Sequence, residues 1–577
     1  MTLAEALNIV RNAPNEAGSF DVMLACGFTP LHLRTFLCAH LQQRLPQRSV
    51  RVGSGLYGDL PGTLERVSGE PVHALAIALE WSDLDPRLGY RSTGSWSEPA
   101  VRDALNVAAA ALRQLASAIG RVPSHVRIAV SLPTLPLPPL FRTPGWQASG
   151  NELLLEHELS GFALELAGRR GLAVANRRCL EEESPPPRYH PKSDLSLGLP
   201  HTPAHADALA FTLARLLAPA APKKGIVTDL DDTVWDGIVG EVGPDGVSWD
   251  LAGHHHLHAL YQKLLAALSA RGILVGVASK NDAAVVEKVF QRPDLVLPPD
   301  RVFPFEVHWD AKSRSVARIL GAWNIAAEDV IFVDDSPMEL AEVAEAHPGV
   351  RCVRFPKGDY QAGLAMLREL RDLCANEEVS EEDSLRLGSL RQGARFQRLV
   401  ESGPAPESFL EQADATVTVD WHPAFGDSRA LELVNKTNQF NLNGLRFAEA
   451  DWQLRVAQPD TVLAVLSYED KFGQLGRIMV IQGRRNGPLL EVDTWVMSCR
   501  AFARRIEYQC LRMLFARSRV SEIRFAFRPT PRNGPIQEFF TEILGQKPEG
   551  AFPMTNVQFE AKCPPLYHRV KECGSEA

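Results

Sequence analysis

The stretch that decides the fold is KGIVTDLDDTVWDGIVGEV, residues 224 to 242. Its apolar run Gly225–Thr228 predicts a buried β-strand. Three carboxylates and a hydroxyl follow in the loop at the carboxyl end of that strand: Asp229, Asp231, Asp232 and Thr233. Crowded carboxylates repel one another, so a divalent cation such as Mg2+ is expected to neutralise them and to bring phosphate with it. The stretch therefore predicts phosphoryl chemistry, in which one aspartate attacks phosphorus and another moves the proton.

Three further elements occur later in the chain, in the order that such a site requires. A strand over residues 272–278, a helix that starts near residue 312 and a strand over residues 330–333 are predicted from their apolar patterns. Polar side chains stand at the ends of these elements: Ser279, Lys280 and Asn281, then Lys312, then Asp334 and Asp335. In a parallel sheet these ends lie at one edge, where a hydroxyl and a lysine can hold phosphate oxygens and the carboxylates a cation.

This ordered set resembles the four motifs of the haloacid dehalogenase (HAD) superfamily of phosphotransferases. The resemblance implies that Asp229 is the nucleophile that forms an aspartyl-phosphate and that Asp231 is the general acid and base. It implies that Ser279 and Lys312 bind the phosphoryl group, with Thr233, Lys280 and Asn281 nearby. Asp229, the Asp231 carbonyl and Asp334 would surround Mg2+, with Asp335 in support.

The spacing of the motifs limits what can cover the site. About 50 residues separate Asp229 from Ser279, which is enough for a short flap over residues 237–249 and one helix, and about 33 separate Ser279 from Lys312. Neither interval can hold a full cap domain. A site over residues 222–373 is therefore expected to be open to a macromolecular substrate, or covered by another part of the chain.

Residues 1–215 are predicted to form a first α/β unit, because strand-like runs alternate with helical patterns. Its start resembles the entrance of the SGNH esterase fold, but the turn holds Gly27-Phe28-Thr29 and no serine. Two interpretations remain open: Thr29 is a nucleophile, or the unit is a catalytically empty binding or scaffolding domain. Residues 181–203 read as a loop or extended linker, which would leave His190 and His201 solvated.

A third unit is predicted over residues 396–577, after a linker over residues 374–395. Antiparallel strands followed by strand, helix, strand and helix resemble the GNAT acyltransferase fold. The positions that would grip the diphosphate of acyl-CoA read RAFARR from residue 500, without the family's glycines. The usual mode of CoA binding is thus disfavoured, whereas a pantetheine arm carried on a protein needs less of that loop.

Four stretches narrow the resemblance to the FkbH-like (HAD-IIIC) proteins of polyketide pathways: residues 229–241, 332–340, 431–447 and 491–500. That family implies removal of phosphate from 1,3-bisphosphoglycerate, a small three-carbon phosphate, and loading of the glyceryl group as a thioester on the phosphopantetheine arm of an acyl carrier protein. A HAD phosphatase for another phosphate ester and a non-catalytic carrier-binding scaffold are the alternatives. Asp232 and Asp236 depart from the asparagine and glycine common in the family.

Two places in the third unit are candidate binding or catalytic positions. The amide-rich run around Asn438, Gln439 and Asn441 either binds the pantetheine arm or the glyceryl hydroxyls, or caps a helix end and fixes a turn. Cys499 lies between a strand and a helix, where the helix start and Arg500 would lower its thiol pKa. It is either a covalent relay for the glyceryl group or a buried structural cysteine.

The composition excludes several other classes of protein. A formal net charge of -9 gives no basic stripe for nucleic acid, and no run of about 18 apolar residues predicts a membrane span. Nine scattered cysteines without a CxxC pair argue against disulfides or a zinc site, and the start lacks a signal peptide, so a cytoplasmic protein is expected. The histidines at 254–258, a cluster that invites a metal, are predicted to be a solvated helix start.

Overall fold

The structure is a computed structural model of the 577-residue chain. It describes residues 1–573 except 15–17, 68, 70, 93–96, 143–146, 148, 376–386, 389, 392–405, 422–427, 438, 448, 472, 499, 500, 503 and 532. The chain forms two compact units, Met1–Ala221 and Pro222–Ala577. It is an α/β protein of several sheets, two of them parallel and one mixed. No described helix combines the length and the apolar character needed to cross a membrane.

The first unit is built on a five-stranded parallel sheet in the order β2-β1-β3-β4-β5. Its strands are β1 Ser19–Ala25, β2 Ser49–Ser54, β3 Ala74–Ala78, β4 Arg127–Ser131 and β5 Leu172–Val174. Its helices are Leu3–Arg11, Leu31–Arg44, Leu60–Val67, Trp81–Leu84, Glu98–Gly120, Gly150–Ala167, Arg177–Glu183, Pro191–Leu197 and Pro203–Leu217. Apolar clusters cover both faces of the sheet, which accounts for its fully apolar central strand, β3.

The prediction of a loop or extended linker over residues 181–203 is wrong in part, because the segment contains the helix Pro191–Leu197 and the end of Arg177–Glu183, with loop residues between and after them. Arg177–Glu183 enters it, and Pro191–Leu197 begins where the Nδ1 of His190 accepts a hydrogen bond from the backbone N–H of Ser193. His190 is exposed as predicted, but His201 is buried. Its Nε2 lies 3.0 Å from Glu80 Oε1, a contact between residues far apart in the sequence. That buried carboxylate explains why the imidazole leaves the solvent.

The second unit begins with a five-stranded parallel sheet in the order β10-β9-β6-β7-β8. Its strands are β6 Gly225–Thr228, β7 Leu274–Ser279, β8 Phe305–Val307, β9 Val330–Asp334 and β10 Arg351–Arg354. Its helices are Val239–Val242, His256–Ala270, Ala283–Phe290, Lys312–Trp323, Pro337–Ala346 and Tyr360–Leu373. All residues from 149 to 375 are described, and neither interval between the motifs contains a cap domain.

The helix Lys312–Trp323 is fixed on this sheet by its last residue. Trp323 is buried against the first residue of β6, and a Cβ on Gly225 would lie 2.6 Å from the indole. Gly276 of β7 is equally close, with a Cβ 2.8 Å from the same ring. The indole N–H donates to Phe303 O at 2.7 Å. Because the helix runs against the strands, anchoring its end places Lys312, at its start, over their carboxyl ends.

The last part of the second unit is a mixed sheet in the order β17-β16-β15-β14-β13-β11-β18, with β12 paired to β15. Its strands are β11 Thr416–Asp420, β12 Phe440–Asn441, β13 Thr461–Asp470, β14 Gly473–Asn486, β15 Leu489–Met497, β16 Glu522–Phe525, β17 Phe552–Thr555 and β18 Arg569–Cys573. Its helices are Pro406–Gln412, Ser428–Lys436, Glu449–Val456, Ile506–Ser518, Gly534–Leu544 and Asn556–Glu560. Antiparallel strands dominate, and β15 runs parallel to β16.

Candidate active site

Three neighbouring strands bring the residues that are predicted to attack or hold a phosphoryl group to one edge of the parallel sheet. Asp229 directly follows β6, Ser279 ends β7 and Asp334 ends β9, and β6 lies between the other two strands. The pairing of Thr228 with Val333, together with a hydrogen bond from Asp229 N to Val333 O of 2.9 Å, aligns Asp229 with Asp334. The register of the sheet therefore places two carboxylates side by side before any side-chain contact is considered.

The ammonium of Lys312 lies among three carboxylates and is only 2% exposed. Its Nζ is 2.9 Å from Asp229 Oδ1, 2.6 Å from Asp334 Oδ2 and in contact with Glu339 Oε2. Burial by itself would lower the pKa of Lys312, but the negative charges of Asp229, Asp334 and Glu339 outweigh it and raise that pKa. Lys312 is therefore a permanent cation at the centre of the site.

One lysine does not balance the charge of this cluster. Burial raises the pKa of both Asp229 and Asp334, and the Lys312 ammonium opposes that rise without cancelling it. One oxygen from each of Asp229, Asp334 and Glu339 lies within 4.8 Å of the others, so these three residues could hold a metal ion. With Lys280 also paired to Glu339, the three carboxylates keep one negative charge in excess, and this charge and the all-oxygen donor set fit a hard divalent cation such as Mg2+.

Both carboxylate oxygens of Asp231 are held by hydrogen-bond donors. Oδ1 accepts from the indole N–H of Trp235 at 2.8 Å and from the backbone N–H of Val239 at 3.1 Å. Oδ2 accepts from the amide of Asn281 at 3.0 Å, and the same amide donates to Ser279 Oγ at 3.0 Å. The loop after β6 and the loop after β7 thus fix the orientation of the carboxyl group that we predict to move the proton.

Thr233 and the histidines that follow complete the buried side of the loop. Thr233 Oγ1 is buried and has no hydrogen-bond partner among the described residues. Its carbonyl oxygen lies 2.9 Å from His258 Nδ1. His258 is itself buried, with its ring stacked on Phe355, so the prediction that it is solvated is wrong. Phe355 follows β10 and is distant from His258 in the sequence, so no local pattern encodes the ring contact that covers this helix start.

The two extra carboxylates of the loop contact Lys357 and His255 and are not part of the metal cluster. Asp232 has a positive φ of 53°, its Oδ1 accepts from Gly237 N at 3.0 Å, and its Oδ2 lies 2.5 Å from Lys357 Nζ. Asp236 lies 3.3 Å from His255 Nε2. Burial and the charge of Asp232 raise the pKa of Asp335, the second acid after β9. The carboxylates at positions 232 and 236 therefore have partners elsewhere in the chain, Lys357 and His255.

Sequence reasoning missed Glu339 and Trp235. Glu339 stands in the first turn of the helix Pro337–Ala346 and contacts Lys280 Nζ at 2.9 Å as well as Lys312. The signal in the sequence that could have identified Glu339 is its position, five residues after Asp334 and on the other side of a helix start. Trp235 was hidden because a tryptophan in an apolar run reads as a core residue, and it is fully buried.

The amide-rich run of the third predicted unit uses its polar atoms within the chain. Asn441 is 2% exposed; its amide donates to Thr437 O, and its Oδ1 accepts from the N–H groups of Asn443 and Gly444. Gln439 exchanges hydrogen bonds with Asn324, at the end of the helix that begins with Lys312. These contacts favour the turn-fixing alternative. Asn438, Cys499 and Arg500 lie outside the described residues, so their assigned roles stay predictions.

Residues 440–443 fill the opening between β15 and the chain that continues β16. Phe440 and Asn441 pair with the end of β15, and Leu442 N donates to Trp495 O at 2.9 Å. On the other side, Arg528 N donates to Leu442 O at 3.0 Å, and the Asn443 amide donates to both Asp493 O and Ala526 O. A pantetheine arm that formed hydrogen bonds with the end of β15 would have to displace residues 440–443.

We expect Trp235→Phe to slow phosphate release about tenfold, because it removes the indole donor that orients Asp231 while keeping the ring in the core. The measurement is the initial rate of phosphate release under saturating substrate, alongside thermal unfolding. Trp249→Phe is the matched control: its indole N–H donates to Asp294 O, away from the sheet edge. A Trp235→Phe protein with the wild-type rate would show that the indole N–H does not position Asp231.

No family model matches this chain, and no curated protein matches it. A crystal structure of the N-terminal part of the protein BF1531 from Bacteroides fragilis, which contains a phosphatase domain complexed with Mg, matches with 18% identity and a TM-score of 0.50. The match covers 66% of this chain and 100% of that one. An uncharacterized protein from Corynebacterium glutamicum covers 26% of this chain and 94% of its own at 17% identity, with a TM-score of only 0.18. The first match shows that the two chains share a fold over the matched region.

Proposed function

We propose that the sheet edge at Asp229 is the active site of a Mg2+-dependent phosphatase of the HAD type. The observation that carries the proposal is that Asp229 and Asp334 converge on the ammonium of Lys312, with Ser279 at the end of the adjacent strand β7. The phosphatase domain and the Mg in the structure from Bacteroides fragilis support it. An acid pair beside a buried lysine suits a reaction that moves a negatively charged phosphoryl group.

The residues divide the reaction between them. Asp229 attacks phosphorus and forms the aspartyl-phosphate, while Asp231, held by Trp235 and Asn281, gives its proton to the leaving oxygen. Asp231 then takes a proton from the water that hydrolyses the aspartyl-phosphate. Ser279 and Lys312 hold the phosphoryl oxygens. Mg2+, when bound by Asp229, Asp334 and Glu339, would supply the positive charge that lets a carboxylate approach a phosphate anion.

The finer proposal concerns the substrate and the partner. We propose that the substrate is 1,3-bisphosphoglycerate and the acceptor the phosphopantetheine thiol of an acyl carrier protein. The thiolate attacks the acyl carbon and expels the phosphate of the acyl phosphate, so a thioester forms. The phosphoryl group on the third carbon passes to Asp229, the third-carbon oxygen takes a proton from Asp231, and water releases the phosphate, which leaves a glyceryl thioester. Two features support this proposal. Neither interval between the motifs carries a cap domain, and a mixed β-sheet with its own helices follows the phosphatase part.

Mass spectrometry of a carrier protein tests the finer proposal. We expect holo acyl carrier protein incubated with the enzyme, Mg2+ and enzymatically generated 1,3-bisphosphoglycerate to gain the mass of a glyceryl group. Asp229→Asn is expected to leave at most the phosphoglyceryl mass. Phosphate release without any gain on the carrier would identify a phosphatase for another phosphate ester. Neither phosphate release nor a mass gain would identify a non-catalytic scaffold.

A further inference from the structure

The first unit contains a cavity of about 420 Å3 at the carboxyl ends of its parallel strands. Gly27 and Phe28 follow β1, Glu80 and Trp81 follow β3, and Leu135 follows β4, and all of them line it. In the order β2-β1-β3-β4-β5 the chain leaves β1 toward one side of the sheet and later returns to β3 on the other. Crevices at such switch points are where open α/β sheets bind ligands, and the volume lies in the range of small-molecule sites.

Aromatic rings form much of the wall of this cavity. Phe28, Tyr57, Trp81, Tyr90 and Tyr189 line it, and the rings of Tyr90 and Tyr189 are stacked with centroids 5.1 Å apart. Tyr57 is 55% exposed, and the guanidinium of Arg91 already lies 5.7 Å from the centroid of its ring. Ring faces such as these offer apolar surface to the flat body of a ligand.

The floor of the cavity is a closed polar network. Glu80 accepts hydrogen bonds from Thr134 N, Thr134 Oγ1 and Leu135 N, and its Oε1 lies 3.0 Å from His201 Nε2. His205 uses one ring nitrogen on Thr134 and the other on Ser184. Burial lowers the pKa of His205 to about 2, so this imidazole is neutral. The network has satisfied its own hydrogen bonds and leaves Glu80 unavailable to a ligand.

Asp83 is a carboxyl group of the cavity lining without a Lys, Arg or His partner among the described residues. Its Oδ2 accepts from Glu80 N at 2.8 Å, and it forms no ion pair with any residue that the structure describes. A Cβ at Gly27 would lie 1.9 Å from Asp83 Oδ1, so a glycine is required for this carboxyl to sit against the end of β1. Burial raises the pKa of Asp83 to about 7, as expected for a carboxyl held without a counter-charge.

The other charges around the cavity argue against an anionic ligand. Arg91, the cation of the lining, lies 3.8 Å from Asp194 Oδ1 and also donates to the Asp194 carbonyl. Tyr189 donates to Asp194 Oδ2 at 2.9 Å. A phosphate or carboxylate entering the cavity would meet Asp83 and Asp194 before any unpaired positive group. A cation would meet one carboxyl that needs a partner and several ring faces.

We propose that this cavity is a binding site for a small organic cation, a protonated primary amine on a flat apolar or aromatic body, with the ammonium on Asp83 and the body against Tyr57, Trp81 and Tyr90. The site is separate from the phosphoryl chemistry of the second unit. It gives the first unit a binding function that needs no nucleophile. Thr29 is consistent with a unit that has no nucleophile, because its hydroxyl already donates a hydrogen bond to Leu197 O at 2.9 Å.

Ligand-observed NMR and calorimetry on the full chain test the proposal with three probes of one shape: 2-phenylethylamine, 2-phenylethanol and 3-phenylpropionate. We expect the amine to bind saturably with a Kd of about 1 mM, as suits a ligand of this size. The neutral alcohol should bind at least tenfold more weakly and the carboxylate not at all. No saturable binding of the amine up to about 10 mM, or a preference for the carboxylate, would overturn the proposal.

Two variants locate the site. Asp83→Asn is expected to weaken amine binding at least tenfold, whereas Asp103→Asn, on an exposed carboxylate of the same unit, should leave it unchanged. If Asp83→Asn lowers the thermal unfolding temperature, Tyr57→Ala serves instead, because that half-exposed ring can be removed without opening the core. Phosphate release by the second unit should be unaffected in all three proteins. Amine binding that survives both Asp83→Asn and Tyr57→Ala would refute the assignment.

Discussion

Asp229→Asn is expected to abolish Mg2+-dependent phosphate release, with a loss of about 10,000-fold or more. The asparagine side chain keeps the shape of the carboxyl group but cannot form an aspartyl-phosphate. The substitution also removes one of the three oxygen donors that lie within 4.8 Å of one another, so the affinity for Mg2+ should fall as well. The measurements are phosphate release from p-nitrophenyl phosphate and Mg2+ binding by calorimetry.

The same variant should be at least as stable as the wild type when Mg2+ is removed. Burial raises the pKa of Asp229 above its unfolded value, so its ionised form costs stability as the pH rises through that raised pKa. An amide at this position removes the repulsion with Asp334 and keeps a polar contact for Lys312. In EDTA at neutral pH we therefore expect an unfolding temperature equal to or above that of the wild type. Lost activity in a fully stable protein distinguishes a nucleophile from a structural residue.

Asp232→Asn is the matched control in the same loop. Asp232 contacts Gly237 N and Lys357 Nζ instead of the metal cluster, and asparagine can keep the first of these contacts. The left-handed backbone at this position, with φ of 53°, also tolerates asparagine well. The rate should change less than tenfold. A similar loss in both variants would mean that the loop responds to any charge change and that Asp229 has no special role.

The parallel sheet and its polar edge could be predicted because they depend on local patterns. The apolar runs that precede Asp229, Ser279 and Asp334 each read as a strand, and parallel strands must align their carboxyl ends. The intervals between the motifs likewise set an upper limit on what could be inserted. Chain length and hydrophobic period were sufficient for these conclusions.

The buried histidines could not be predicted, since the groups that bury them are distant in the sequence. His201 leaves the solvent because it meets Glu80 from the end of β3, and His258 because it meets the carbonyl of Thr233 and the ring of Phe355. The neighbours of His201 in the sequence read as a loop and those of His258 as a helix start, and neither pattern predicts a buried imidazole. Burial of a polar side chain depends on a tertiary partner, which a single sequence does not name.

Glu339, in the candidate active site, likewise depends on partners that its local sequence does not name. Its neighbours predict a helix start, and acidic residues are common there for reasons of the helix dipole alone. Only the contacts with Lys280 and Lys312 distinguish it from an ordinary first-turn glutamate. Asn441 is the opposite case: an amide-rich run suggested a ligand, and the structure uses the amide within a turn.

Lys312→Met is expected to destabilise the parallel sheet of the second unit by about 3–5 kcal/mol in EDTA. Lys312 is buried, and its ammonium is shared by Asp229, Asp334 and Glu339. Methionine fills a similar volume, so the loss measures charge and not packing. Because the chain has several units, urea unfolding should be followed by hydrogen exchange of peptides from β6 and β9, which isolates this transition. Lys224→Met, whose lysine pairs with Asp329 at a partly exposed position, should cost less than about 1 kcal/mol.

Mg2+ should restore much of that stability without restoring activity. A divalent cation bound by Asp229, Asp334 and Glu339 neutralises the charge that Lys312 leaves uncompensated, and it binds the folded state alone. The phosphoryl group, however, also needs the ammonium to hold its oxygens, so phosphate release should remain at least 100-fold below the wild type, roughly the scale for one lost charged donor. A Lys312→Met protein as stable as the wild type in EDTA would show that the three carboxylates do not depend on this lysine. If the stability of the Lys312→Met protein does not change when Mg2+ is added, the cluster does not bind the ion.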